Sequence, residues 1–337
     1  MSLNMRWPIV PLLLLVLVGF PGYPLLAMAD DAVAADTAAA VDDSNVEPGN
    51  PEDNLALESA RRSVRSAAEW LASGVNSWFG DRPFKEAGGK VSDGRFGLSF
   101  YKRQDESVEF TVRFSANFRL PNLEKNTYIF TGRDNRREVI TDKPESFSRE
   151  QLLQAQTEAD RSFFAGIGRA VGDSVDFRIG FHGALKPYVQ GRYRKSWEPS
   201  TIDAIDFRET VFVTAADRIG STSALSYQHV FSPTLVGRWL SAATITQADS
   251  HFEWNSSVGA YKSLGAQRLL SLELLVSGKQ GTGVAVTDYG LQGRWEQPVY
   301  KDWLLAEFVL GRFWPRPTAS SERGQVWAMG AGLRMLF

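Results

Sequence analysis

Residues 325–337 read QVWAMGAGLRMLF and alternate between apolar residues and residues that are mostly small or polar. The apolar positions are Trp327, Met329, Ala331, Leu333, Met335 and Phe337. Side chains on a β-strand alternate between its two faces, so this strand has one apolar face and one mixed face. A soluble sheet edge gains little from an exposed Phe, whereas acyl chains solvate the outer face of a membrane barrel. The stretch therefore predicts the last strand of a transmembrane β-barrel.

The same alternation recurs upstream and is cleanest in residues 108–120, where Val112 and Phe114 alternate with Arg113 and Ser115. We predict an all-β membrane protein whose antiparallel barrel spans residues 94–337. Its fourteen candidate strands are 94–103, 108–120, 127–133, 161–171, 174–183, 187–197, 205–215, 221–231, 235–246, 251–262, 267–278, 284–296, 302–314 and 325–337. Twelve strands remain an alternative if the first two form a separate hairpin. An even number places both ends of the barrel in the periplasm.

The connections between these strands fall into two classes. Short turns at residues 172–173, 232–234, 263–267 and 298–302 are predicted to be periplasmic. The one long connection, residues 134–161, is highly charged, so we predict that it is extracellular and carries a short helix around residues 149–160.

The N-terminus indicates export. Arg6 is the only charged residue before position 30, and the apolar run 8–26 ends in Ala27-Met28-Ala29. This layout is typical of a secretory signal peptide, residues 1–29, cleaved after Ala29. Beyond Ala29 no apolar run approaches the roughly 18 residues that a spanning helix requires. The absence of Cys excludes disulfides, thiolate metal sites and a lipoprotein anchor.

The segment between the signal and the barrel divides into two parts. Residues 30–58 contain nine acidic residues and no Lys or Arg, and residues 30–53 are predicted to be a disordered acidic tail. Residues 54–80 carry apolar residues at helical spacing, which predicts a periplasmic amphipathic helix. Three placements remain open for this helix: on the barrel mouth, inside the lumen as a plug, or on the membrane surface.

Strand parity also predicts which charged side chains face the lumen. They are Arg113, Arg178, Arg192, Arg194, Arg238, Glu253, Glu273, Asp288, Arg294, Glu307 and Arg334. Buried charges must be paired, so this mixture of signs indicates either a cross-linked interior or a wet pore.

Several short motifs resemble a family of uncharacterised outer-membrane barrels from Gram-negative bacteria. They are KPYVQGRYRKSW at 186–197, YKDW at 300–303, FWP at 313–315 and the terminal Leu-Phe. The resemblance covers roughly residues 94–337 and implies the barrel fold and location in the outer membrane. The ending resembles the C-terminal strand of such barrels, so Leu333, Met335 and Phe337 are expected to be the signal for the barrel-assembly machinery. The resemblance supplies no catalytic residue.

The sequence offers little for catalysis. It contains three His residues, His182, His229 and His251, but no G-x-S-x-G motif, no HExxH motif and no acidic metal cluster. We therefore predict no catalytic residue, metal or cofactor, and the His residues are expected to belong to polar networks. Nucleic-acid binding is not favoured because there is no dense basic run.

Three functions remain as alternatives. The first is a passive channel or small-solute transport barrel with the helix as plug or gate. The second is a structural barrel that presents its helix and acidic tail to a periplasmic partner, and the third is an envelope enzyme. Arg312, Arg316 and Arg323 fall near strand ends on the predicted extracellular side. Since guanidinium groups bind phosphate oxygens, these three residues are expected to contact lipopolysaccharide.

Overall fold

The computed structural model describes residues 57–66, 68–69, 90–120, 126–135, 139–144, 161–183, 185–248 and 252–337. The predicted signal peptide, the acidic tail, the helix at 149–160 and His251 lie outside these residues. Fourteen antiparallel strands form a closed barrel, which confirms the predicted fold class. The strands are β1 (Lys90–Arg103), β2 (Glu109–Arg119), β3 (Thr127–Asn135), β4 (Arg161–Val171), β5 (Val175–His182), β6 (Lys186–Ser200), β7 (Asp203–Thr214), β8 (Arg218–Ser232), β9 (Leu235–Thr246), β10 (Phe252–Ser263), β11 (Leu269–Lys279), β12 (Asp288–Tyr300), β13 (Leu304–Phe313) and β14 (Val326–Leu336).

The wall closes between its first and last strands. β1 pairs with β14, so that Arg95 lies opposite Leu336 and Arg103 lies opposite Ala328. Because β1 also pairs with β2, and β2 with β3, the alternative of twelve strands and a separate hairpin is wrong. The barrel wall begins at Lys90 rather than at residue 94.

The two ends of the barrel differ in their connections. We call the end that carries the connections 136–160 and 314–325 the loop end, and the opposite end the turn end. The turn end has short connections at 172–174, 201–202, 233–234, 264–268 and 301–303. Most of these coincide with turns that the sequence predicted.

The outer face of the barrel is apolar, because alternate residues of each strand point away from the lumen. Phe110, Phe163, Ile179, Leu274 and Leu310 are each more than half exposed on this face. Large exposed apolar side chains on a closed barrel are expected where acyl chains replace water.

The described part of the N-terminal helix, α1, comprises residues 57–66 and 68–69 and packs against the outside of the barrel. Ala68 is buried against Ala116, Phe118 and Ile129. These three residues have the same strand parity as the exposed Phe110 and Phe163. The described part of α1 therefore lies on the outer face near the turn end, which excludes the lumen plug for these residues among the three placements that the sequence left open. Among the residues that the structure describes, no helix is long and apolar enough to cross a membrane.

Polar contacts hold α1 across the seam between β1 and β14. The Arg61 Nε donates to the Leu336 carbonyl oxygen at 3.2 Å, and the guanidinium lies 5.0 Å from the centre of the buried Trp303 ring. Lys301 Nζ donates to Glu58 Oε1 at 2.5 Å. The Lys301 ammonium holds the pKa of the Glu58 carboxyl below its usual range, and the carboxylate raises the pKa of Lys301.

The interior of the barrel contains a buried apolar cluster of its own on the strands from β8 round to β1. Its members are Tyr101, Ala224, Leu240, Ala242, Leu275, Val309, Phe313, Val326 and Ala328. Phe313 is fully buried, and the Arg103 guanidinium lies 5.1 Å from the centre of its ring. The lumen is therefore not uniformly polar, because these apolar residues share their strands with inward charged side chains such as Glu273 and Glu307.

Candidate functional site: the lumen and its inward-folded segment

Residues 139–144, which belong to the connection between β3 and β4, lie inside the barrel. We call these residues the inward segment. Ile140 has no exposed surface and packs against Phe130, Phe164, Tyr188 and Phe212. The connection that the sequence predicted to be extracellular thus folds into the lumen at these residues. The charged composition of the connection concealed the short apolar pair Val139-Ile140. Burial of the Ile140 side chain favours the lumen over water.

A second anchor of the inward segment is ionic. The Asp142 Oδ2 lies 2.6 Å from Arg192 Nε and 3.0 Å from Arg208 Nε. The same oxygen accepts a hydrogen bond from Thr210 Oγ1 at 3.0 Å. The side chain of Arg192 is only 6% exposed, so the Asp142 carboxylate neutralises a guanidinium that water barely reaches.

Backbone carbonyls complete the attachment of the segment to the wall. Gln190 Nε2 donates to the Ile140 carbonyl oxygen at 2.8 Å, and Arg208 Nη2 donates to that of Asp142 at 2.9 Å. Asp142 itself has a φ of 53°, a left-handed conformation that Asp tolerates better than most residues. Strands β6 and β7 thus hold the segment through its side chains and its backbone together.

Beside the inward segment lies a cavity of about 300 Å³. It is bounded by Lys143 and Arg208 on one side and by strands β1, β2, β13 and β14 on the other. Its charged lining residues are Arg95, Arg113, Asp134, Asp142, Lys143, Arg208, Glu296, Glu307 and Arg334. A cavity with this lining suits small polar solutes and water.

Ion pairs between strands of the barrel order the cavity wall. Arg113 Nη2 lies 3.1 Å from Asp134 Oδ1, and Arg294 Nη1 lies 3.6 Å from Glu307 Oε2. Arg334 forms a further ion pair with Glu296. Charge on this side is therefore balanced within the wall, whereas Asp142 reaches its partners from a connection.

The structure places all the side chains that parity assigned to the lumen on inward-facing positions, but it does not bring them into one site. Arg178 Nε contacts Asp176 and Tyr128 near the turn end, and Arg194 lies on the same wall in β6. Arg238 approaches Glu273 at 3.8 Å. The remaining pairs lie towards the loop end: Glu253 with Lys279 at 2.8 Å, and Asp288 with Arg103 at 3.1 Å.

The described His residues do not form a catalytic constellation. His182 is buried, with its ring 6.2 Å from that of Tyr188. His229 Nδ1 lies 2.8 Å from Asp203 Oδ1, but the Ser200 hydroxyl donates to Asp203 and not to His229. Within the described ranges, no group of three or more His, Asp or Glu side chains is arranged to hold a metal ion.

The three arginines expected at the outer rim differ in their contacts. Arg316 donates to the carbonyl oxygens of Ser321 and Ala319, and Arg323 donates to those of Trp314 and Val286. Both therefore hold the connection between β13 and β14 in place.

Arg312 instead faces outward from β13. Its guanidinium lies 5.7 Å from the centre of the Trp314 ring and 5.1 Å from that of Trp327. Below it is an apolar groove on the outer face, lined among others by Leu291, Phe308 and Met329.

The expected assembly residues lie at the seam. The Phe337 ring stacks on Phe114 with centroids 6.2 Å apart and an interplanar angle of 15°, and its backbone N–H donates to the Gly94 carbonyl oxygen at 3.0 Å. Met335 is buried, whereas Leu333 is exposed on the outer face.

Sequence reasoning missed Asp142, Arg208 and Thr210. Parity could have placed Arg208 and Thr210 in the lumen, since they alternate with outward apolar residues of β7. No local pattern showed that Asp142 meets them.

No protein-family model matches the chain, and a search among curated proteins finds no match. Among solved structures, the outer membrane channel DcaP of Acinetobacter baumannii is similar at a TM-score of 0.46 and 7% identity, over 75% of this chain and 98% of that chain. OccK11 (OpdR) of Pseudomonas aeruginosa is similar at 0.43 and 9%, over 74% and 96%. OmpT, an outer membrane protein of Vibrio cholerae, is similar at 0.42 and 9%, over 74% and 98%. The barrel fold of this chain is established by its own strand pairing.

Proposed function

We propose that the protein is an outer-membrane channel for small polar solutes, with the inward segment as its constriction. The observation that carries the proposal is the charged cavity of about 300 Å³ between the inward segment and the wall. An apolar outer face and a predicted signal peptide support the location, because closed barrels are the strand architecture that a bilayer tolerates. In this orientation the loop end faces the cell exterior and the turn end faces the periplasm.

Two anchors, Ile140 and Asp142, hold the inward segment in its position as the constriction. Ile140 fills an apolar pocket, and Asp142 neutralises Arg192 and Arg208. The Ile140 pocket is formed by β3, β4, β6 and β7 and the Asp142 partners lie on β6 and β7, while the cavity is lined on its far side by β1, β2, β13 and β14. Solutes that pass along this cavity would meet charges of both signs, so we expect polar solutes to pass more readily than apolar ones.

Ion conductance in planar bilayers tests the proposal. Replacing residues 139–144 by Gly and Ser at the same length removes both anchors, so the single-channel conductance should rise. Replacing residues 318–321, which lie in the connection between β13 and β14, by Gly and Ser is the matched control and should change conductance little. The constriction is refuted if the two variants conduct alike, and the channel is refuted if the parent and both variants carry no current.

We also propose that Arg312 contacts the phosphate of an outer-leaflet lipopolysaccharide. Its guanidinium is held between Trp314 and Trp327, directly above an apolar groove that fits an acyl chain. Aromatic residues at this height are typical of the membrane interface. Arg316 and Arg323 support this contact indirectly, since they fix the adjacent connection through carbonyl oxygens.

Thermal unfolding in bilayers with and without lipopolysaccharide tests this contact. The lipopolysaccharide-dependent gain in stability should shrink in Arg312→Ala. Arg323→Ala should lower stability in both bilayers by the same amount, because it loosens the connection itself. If Arg312→Ala gains as much from lipopolysaccharide as the parent, the proposed contact is wrong.

A further inference from the structure

An ionisable side chain lies on the outer face of the barrel near the middle of β7. Glu209 has the same parity as Val211 and Val213, which are exposed on the outer face. Its neighbours in the chain, Arg208 and Thr210, point into the lumen, where they hold Asp142. A carboxyl group at this depth is costly in acyl chains, and such residues usually mark a functional contact.

The surroundings of Glu209 are small and polar. Ser221 and Ser223 of β8 both donate their hydroxyl groups to its carboxylate. Ser241 of β9 and Ser256 of β10 lie on the same face, one outward position nearer the turn end. We call these five residues, Glu209, Ser221, Ser223, Ser241 and Ser256, the hydroxyl face.

The hydroxyl face contrasts with the rest of the outer wall. On β5 and β11 the outward positions include Phe177, Ile179, Leu272 and Leu274, each more than half exposed. Large apolar residues suit acyl chains, whereas hydroxyl groups and a carboxylate gain nothing from them. The Ser side chains of the hydroxyl face are short, and Trp239 Nε1 donates to Ser256 Oγ at 3.0 Å beside them.

We infer that the hydroxyl face is the surface on which a second copy of this chain packs within the membrane. Ser221 and Ser223 donate to Glu209 within one wall, and Ser241 donates to the Asn255 carbonyl oxygen, whereas Ser256 accepts from Trp239 and keeps its own hydroxyl hydrogen to donate. Two copies related by a two-fold axis along the membrane normal can therefore each donate from Ser256 to the other's Glu209 carboxylate. Small side chains let the two walls approach closely, as they do in associations of membrane helices. A lipid acyl chain offers no donor or acceptor at this depth.

The position of the face leaves room for a second copy. The helix α1 covers the wall around β1 and β2, and β8 lies seven strands from β1 in either direction round the barrel. The side that the described part of α1 covers and the hydroxyl face are therefore diametrically opposed. The inference goes beyond the proposed channel activity and shares with it only the location in the membrane.

Thiol cross-linking tests the inference cleanly, because the chain contains no Cys. Ser223→Cys should give a covalent dimer with a short bifunctional maleimide in isolated outer membranes. Ile179→Cys, an exposed outward position on β5, is the matched control and should remain monomeric. In the Ser223→Cys background, Glu209→Leu should weaken dimer formation by roughly tenfold, as expected for loss of polar contacts in a bilayer.

Several outcomes overturn the inference. One is a Ser223→Cys protein that stays monomeric although it fractionates with the outer membrane. Another is equal cross-linking of Ile179→Cys, and a third is cross-linking of Ser223→Cys to a different protein alone. Unchanged dimerisation in Glu209→Leu would overturn the role given to the carboxylate. None of these results depends on conductance, so the channel proposal stands or fails separately.

Discussion

Two opposite sides of the outer wall differ in what the described residues place on them. Around the seam, α1 and Phe337 cover Phe114 and Phe118, and Arg61 donates to the carbonyl oxygen of Leu336. On the opposite side, within the part of the chain that the structure describes, the Glu209 carboxylate accepts from Ser221 and Ser223 of its own wall. The helix of the chain itself thus donates to a polar group at the seam, whereas we propose that the hydroxyl face is covered by a second copy.

The largest effect is expected at the covered side, where the wall closes. Removing Phe337 deletes the ring stacked on Phe114 and the N–H donated to Gly94, so most of the protein should fail to assemble. Heat-modifiable mobility of the membrane fraction measures assembly. Phe231→Ala, which removes an exposed aromatic ring near the turn end, is the control and should assemble normally. An undiminished barrel without Phe337 contradicts the role of the seam.

A second variant pair compares the covered outer face with the lumen behind it. Phe114→Arg places a cation on the outer face of β2, which should cost about 2–4 kcal/mol of folding free energy. Ser115→Arg places the same cation in the polar cavity, where the cost should be smaller because the guanidinium can stay hydrated there. Unfolding in denaturant measures both. Equal folding free energies would show that the faces are assigned incorrectly.

A third variant weakens the docking of α1 on the barrel without changing a residue of the barrel strands. Arg61→Ala removes the hydrogen bond to Leu336 and the contact with the Trp303 ring, so docking of α1 should weaken by about 1–2 kcal/mol. Amide hydrogen exchange of α1 reports the loss. Arg62→Ala is the control, since the exposed Arg62 side chain donates only within the helix, to Glu58. Similar exchange in the two variants would mean that Arg61 does not dock the helix.

The smallest effect concerns pH. The lowered pKa of Glu58 means that its contribution to docking is present above its undocked pKa and is lost as pH falls through the docked pKa. The raised pKa of Lys301 has the opposite sense, so its contribution is lost as pH rises through the docked pKa. Docking of α1 should therefore weaken at both extremes. A fluorophore on Ser63→Cys can follow it, and Lys301→Met should abolish the acid limb. Persistence of that limb in Lys301→Met would contradict the pairing.

The sequence predicted the strands of the barrel wall better than it predicted the placement of α1 and of the inward segment. On a strand, whether a residue is at an odd or an even position decides which face it occupies. The outward position of Phe114 and the inward position of Arg113 could therefore be predicted from the alternation alone. The amphipathic pattern of α1 specified an apolar stripe but not the surface that receives it, and Ala68 meets β2 and β3 through contacts distant in sequence. Asp142 was missed for the same reason, because its partners Arg192 and Arg208 come from other strands.

The pairing of β1 with β14 also sets the order of events during biogenesis. Arg95 cannot meet Leu336 until nearly all of the exported polypeptide has reached the membrane. Closure therefore has a very high contact order, which makes it intrinsically slow. Until then the hydrogen-bonding groups of both strands are open edges that invite aggregation. Because Arg61 of α1 contacts Trp303 and the Leu336 carbonyl oxygen, this contact can form only in the same late step that brings β14 to β1.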